Sequence, residues 1–239
     1  MTNPEQHTAL PGGRVDEEDK DAIETAFREA NEEVTLPFPL HLRSKSLAVS
    51  GDTPTTPHIH TLCTLSPHLS QWGLVVTPVV IAFLSSPSPT ESAHAYLQST
   101  LRANPDEVDC IFTHPLEAFL DPTLLADPTF LSGDSETRDS IKLAPKESED
   151  WPYEEEYYTS TDRVQPELGN TVYRMHRFRS TASPIKGLTA EILMRVATIA
   201  YNKPPALPIE QYAPGQVVGF DQITRVLRMN EGAKTRDSD

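Results

Sequence analysis

LPGGRVDEEDKDAIETAFREANEEV, residues 10–34, is the stretch on which the reading of the fold turns. From Asp21 to Val34 the apolar residues Ala22, Ile23, Ala26, Phe27 and Ala30 recur at helical spacing, with charged residues elsewhere. Pro37 and Pro39 stop that pattern. Each helical residue advances about 100°, so Glu32 and Glu33 fall within roughly 60° on either side of Glu29. Three carboxylates therefore share one face of the predicted helix. Left alone, like charges at this spacing destabilise a helix by a few tenths of a kcal/mol, and a divalent cation removes the penalty. Hard oxygen donors suit Mg²⁺ or Mn²⁺, ions that keep several waters and bridge to substrate phosphates. The plainer alternative is a solvated acidic face. Two neighbours favour the metal. Gly12 and Gly13 offer a turn in which backbone can approach an ion or phosphate closely, and Arg28 can pair with a carboxylate to hold its orientation.

The rest of the chain bounds the possibilities. Its 239 residues suffice for one domain with a sizeable core, read as residues 1–203 followed by a peripheral tail over 204–239. A formal charge of −15 argues against a nucleic-acid partner, because phosphate-backbone binding is driven by clustered Lys and Arg. Cys63 and Cys110 make no metal-binding spacing and read as buried thiols in a reducing intracellular setting. MTNPEQHTALPGG has neither the basic region nor the apolar core of a signal peptide. The longest apolar run, LVVTPVVIAFL over 74–84, is too short to span a bilayer. It reads as part of a buried strand from Trp72 to Leu84, and no membrane partner is expected.

Residues 41–71 mix short β-prone pieces with Pro, Ser and Thr, and residues 106–121 read as a strand, a turn at Pro115 and a short helix. Residues 122–170 are acidic and lack periodicity, which reads as a solvated, partly disordered insertion with too few apolar groups to offset ordering entropy. TVYRMHRFRS, 171–180, alternates as a strand, placing Tyr173, Met175, Arg177 and Arg179 on one face and Arg174, His176 and Phe178 on the other. That strand either presents a basic binding face or packs on one side and meets water on the other. An amphipathic helix follows over Leu188 to Tyr201.

The order Gly-Gly, spacer, Arg-Glu, then Glu-Glu resembles the Nudix box, GX5EX7REUXEEXGU with U a bulky aliphatic residue, with one extra residue ahead of REANEE. Gly-Gly followed by Asp16, Asp19, Asp21 and TAFREANEEV resembles the coenzyme A diphosphatase branch of the Nudix hydrolases. QWGLVVTPVV (71–80), NPDEVDCIFTHPLEAFLDP (104–122) and YRMHRFRSTASPIKGLTAEILMRVA (173–197) resemble segments of those enzymes in the same order. The resemblance implies an α+β fold, the Nudix α/β/α sandwich with a mixed central sheet. It implies metal-dependent hydrolysis of a diphosphate, here in coenzyme A or its acyl esters, to phosphopantetheine and adenosine 3′,5′-bisphosphate. Glu29, Glu32, Glu33 and Gly13 are then the candidate holders of Mg²⁺ or Mn²⁺. Arg28, Glu32 and Glu33 are candidate catalytic groups, and Glu107 is a candidate base or else a surface carboxylate. Gly12, Gly13, Arg177 and Arg179 are candidates for contact with the small-molecule substrate. NADH, ADP-ribose or an oxidised nucleotide are alternative substrates, and a noncatalytic binding protein is the alternative of another class.

The chain departs from the family pattern in several places. Family members carry strands and a basic segment ahead of the box, whereas Ala9 here follows only eight residues, so a form lacking its first strands is expected. The resemblance points to the peroxisome, but TRDSD is not an SKL-type address. Thr35 stands where the box has glycine. A β-branched residue is costly in the left-handed conformation that commonly ends a helix, so this helix is expected to end differently.

Overall fold

The computed structural model describes residues 7–39, 42, 59–70, 72–83, 93–127 and 142–236. Most of the β-prone stretch expected before residue 59, and residues 128–141 of the acidic segment, lie outside the described residues. The chain divides into two compact units. One comprises Leu10–Leu65 and Thr77–Ile111, and the other Met1–Ala9, Ser66–Val76 and Phe112–Asp239.

In the first unit, helix α1 (Ala22–Val34) forms where the periodicity predicts it. Asp21 caps it: its carboxylate accepts from the N–H groups of Ile23 and Glu24, both at 2.9 Å, satisfying two donors that no helical carbonyl can reach. The buried face, Phe27, Ala30 and Val34, packs with Leu36 and Ile59 and is covered by Ile81, Phe83, Leu97 and Leu101. Strand β1 (Ile59–Thr64) pairs antiparallel with β4 (Val79–Phe83), with a register irregularity between Thr61 and Cys63, and helix α2 (Ala93–Thr100) supplies Leu97. The end of α1 corrects the expectation from sequence. Thr35 is left-handed, at φ 55° and ψ 30°. Its hydroxyl accepts from the Arg102 N–H at 2.8 Å and donates to the Val34 carbonyl at 2.7 Å, while its own N–H reaches Asn31 at 2.9 Å. These bonds offset a conformational cost of about 1–2 kcal/mol.

In the second unit, β2 (His68–Leu69) pairs with β3 (Val75–Val76), and β5 (Tyr158–Gln165), β6 (Thr171–Phe178) and β7 (Ile185–Lys186) form an antiparallel sheet in that order. Helix α3 (Gly187–Tyr201) buries Ala190, Met194 and Ala197 against Phe178, Ile185, Phe119 and Leu120. Helix α4 (Phe220–Arg236) buries Ile223. The architecture is α+β as expected. Among the described residues the ladders are all antiparallel, in sheets of two, two and three strands, and parallel pairing is confined to a bridge between Val172 and Gln216.

Several local expectations shift. The apolar run from Trp72 breaks into β3 and β4 at Thr77-Pro78, where proline has no N–H to donate. Residues 106–114 form no strand, and the chain instead turns back on Asn104, whose carbonyl accepts from Glu107 at 3.1 Å and Val108 at 2.8 Å. The short helix after Pro115 is present as a 3₁₀ turn, Leu116–Phe119. Within the acidic segment, β5 pairs along the whole of β6, and the Trp151 side chain is fully buried with its indole N–H donating to the Glu155 carbonyl at 2.7 Å. The residues after 203 bury Ala213, Gln216 and Ile223. β6 buries groups on both faces, Tyr173, Met175 and Arg177 on one and His176 and Phe178 on the other, so neither face is simply solvated. Cys63 and Cys110 are exposed, not buried.

Candidate functional site

The carboxylate-bearing face of α1 is organised around Arg28. Its Nε and Nη2 donate to the two oxygens of Asp19 at 3.1 and 2.9 Å, and Nη1 donates to Glu29 at 3.0 Å and Glu32 at 3.2 Å. Nη2 also reaches the Arg14 carbonyl at 3.0 Å, which ties the loop before the helix to the same guanidinium. Asp19 is itself fixed by the Asp16 N–H and the Thr25 hydroxyl, each at 2.9 Å. The Arg28 hydrogen bonds hold the Asp19 carboxyl well below the usual carboxylate range, and Asp19 in turn raises the Arg28 pKa.

The glycine turn meets this face. A Cβ placed on Gly13 would sit 2.3 Å from Glu29 Oε1, so only a residue without a side chain fits beside the carboxylate as it stands. The Gly12 N–H donates to Glu33 at 3.5 Å. The Glu33 pKa is raised, first by partial burial and then by the charges of Glu29, Glu107 and Glu32, against the lowering effect of the Gly12 bond. Residues 102–104 lie along the end of α1 through Arg102 N–H to Val34 and Asn104 N–H to Glu33, at 3.1 and 2.8 Å, and the turn on Asn104 carries Glu107 into electrostatic range. The unit therefore brings together Gly12, Gly13, Arg28, Glu29, Glu32, Glu33 and Glu107. Sequence reasoning left out Asp19 as the partner of Arg28. The available signal was a carboxylate in the loop that feeds the Asp21 cap.

These are oxygen donors that disfavour one another's charge, a set chemically suited to a hard divalent cation. Among the described residues no three His, Cys, Asp or Glu side chains form a ready-made cage. Glu29 and Glu32 each direct an oxygen to Arg28, and Glu33 directs one to Gly12.

Arg177 and Arg179 belong to the second unit. Arg179 is buried and committed: Nε donates to the Ala144 carbonyl at 2.7 Å and Nη1 to the backbone and side-chain oxygens of Glu156, both at 2.9 Å. Arg177 is buried with its Nη1 on Thr161 and the Met175 carbonyl. A separate buried network joins His68 Nδ1 to Glu191 at 2.8 Å and Glu191 to Gln216 Nε2 at 3.1 Å, while Gln216 accepts from the Arg174 and Ala213 N–H groups.

The chain is 30% identical over 222 residues to Nudix hydrolase 22, chloroplastic, of Arabidopsis thaliana, covering 91% of this chain and 52% of that protein. The similarity supports Nudix family membership. Nudix hydrolase 15, mitochondrial, of the same plant is 29% identical over 211 residues, covering 85% of this chain and 50% of its own length. The chain thus spans about half the length of the curated relatives it matches. No family model matches. The α+β architecture is consistent with a Nudix fold. No helix among the described residues is long and apolar enough to cross a membrane.

Proposed function

We propose that the protein is a divalent-metal-dependent Nudix hydrolase that cleaves the diphosphate of coenzyme A or its acyl esters into phosphopantetheine and adenosine 3′,5′-bisphosphate. The observation that carries this reading is the acidic face of α1 meeting Gly13 so closely that a Cβ would lie 2.3 Å from the Glu29 carboxylate. Similarity to two Nudix hydrolases supports hydrolysis of a diphosphate linked to another moiety. The four segments that resemble the coenzyme A branch support the substrate.

Glu29, Glu32, Glu33 and the backbone of Gly13 are the groups that would hold Mg²⁺ or Mn²⁺. Such an ion, when bound, supplies charge neutralisation of the diphosphate and a lowered pKa for an attacking water. Arg28, clamped by Asp19, holds Glu29 and Glu32 in orientation. The base that takes a proton from water is one of these glutamates or Glu107, which the turn on Asn104 carries into electrostatic range of Glu33.

An assay with Mg²⁺ or Mn²⁺ and coenzyme A, reading adenosine 3′,5′-bisphosphate, tests the reading beside Glu32→Gln. Loss of a metal ligand removes several kcal/mol of charge stabilisation, so the variant falls about a hundredfold or more. Equal turnover by the two proteins refutes the metal face. Turnover of ADP-ribose or NADH with none of coenzyme A refutes the substrate and leaves the chemistry.

A further inference from the structure

Tyr153, Thr159, Thr161, Arg163 and Arg177 line a surface cleft of about 400 Å³ in the second unit. Arg177 is 6% exposed. Its Nη1 donates to the Thr161 hydroxyl at 3.1 Å and the Met175 carbonyl at 3.2 Å, and its guanidinium lies 5.4 Å from the Tyr153 ring centroid. The other two β6-side arginines are each neutralised: Arg174 by Asp162 and Glu210, Arg179 by Glu156. Among the described residues no carboxylate is ion-paired with Arg177, and its hydrogen bonds run through Nη1. A buried guanidinium without an anion is costly, and the Tyr153 face offsets only part of that cost.

Glu154 and Glu155 also line the cleft. Glu155 accepts from the Thr159 hydroxyl at 2.9 Å and so is engaged along β5. In a chain of net charge −15, an anion must be drawn by local cations, and Arg163, exposed on β5, adds a second one.

We propose that this cleft is an anion-binding site for a phosphate group, with Arg177 at its base, Arg163 at its rim and the Thr161 hydroxyl as a further donor. The fork of guanidinium donors matches tetrahedral phosphate oxygens, and Arg163 adds a second cation beside it. The site does not depend on the chemistry assigned to α1.

The test is a calorimetric titration of the full chain with inorganic phosphate and with glycerol phosphate, in EDTA so that no metal-bridged binding contributes. Saturable binding is expected, weakened about tenfold or more in Arg177→Gln and about threefold in Arg163→Gln. Arg225→Gln, an exposed change on α4, leaves it unaltered. If Arg177→Gln does not fold, the exposed Arg163→Gln and Thr161→Val variants decide. Tighter binding of glycerol phosphate identifies a phosphate ester as the ligand, and equal binding identifies free phosphate. Absence of saturable binding to the wild type, or binding indifferent to Arg163 and Arg177, overturns the proposal.

Discussion

Asp19 grips Arg28 through two parallel hydrogen bonds, Oδ1 to Nε at 3.1 Å and Oδ2 to Nη2 at 2.9 Å. The same guanidinium then reaches Glu29 and Glu32, so a residue outside the helix sets the orientation of carboxylates on it.

Asp19→Asn is therefore expected to lower both metal-dependent turnover and melting temperature. The folded pKa of Asp19 lies below its unfolded value. Its stabilisation is thus complete above about pH 4 and is lost as pH falls through the folded value. The melting-temperature gap between wild type and Asp19→Asn should be widest near neutrality and shrink below pH 4. A gap that is constant with pH contradicts the ion-pair role.

Gly13→Ala tests the close approach. The new Cβ would meet the Glu29 carboxylate at 2.3 Å, and Glu29 must swing away from Arg28 to admit it. Thermal stabilisation by Mg²⁺, which reports binding to the folded state, should fall while the metal-free melting temperature changes little, because Gly13 is exposed. Undiminished Mg²⁺ stabilisation would show that the position tolerates a side chain.

His114, half-buried in the second unit, keeps both ring nitrogens out of water. Neither ring nitrogen has a hydrogen-bond partner, the ring packs 5.0 Å from Phe119, and burial pushes its pKa down to about 4. An unfolded histidine binds its proton near pH 6.5, so stability is complete above that value and erodes by about 3 kcal/mol as pH falls toward 4. His114→Phe should flatten this acid-side loss in denaturant titrations and match or exceed wild-type stability at pH 7. An unchanged slope would mean that the imidazole is solvated.

Glu191 joins His68 and Gln216 within the second unit. Glu191→Ala removes the acceptor from His68 Nδ1 and Gln216 Nε2, both on buried residues, and is expected to cost about 3 kcal/mol or more. Glu191→Gln keeps part of the hydrogen bonding and should cost less. Urea unfolding of the two variants separates them, and equal costs would argue that the side chain acts by packing alone.

Helix α1 and its glutamate face were legible in the sequence because helical periodicity and carboxylate spacing are local properties, complete within residues 10–34. The α+β class was what the resemblance to the Nudix hydrolases implied, and α3 was legible because its apolar positions repeat within one segment. Other features depended on partners distant along the chain. Thr35 is stabilised as a left-handed cap by the Arg102 N–H, 67 residues away. β5 exists in an acidic, aperiodic segment because β6 satisfies its backbone. The apolar run from Trp72 looked like one strand, and its division at Pro78 follows from which partner each half pairs with. Alternation set Arg174 on the face opposite Arg177 and Arg179 but could not say which of the three is ion-paired. Only the tertiary structure assigns carboxylates to Arg174 and Arg179 and leaves Arg177 facing a cleft, because ion pairing is decided by which residues fold into contact.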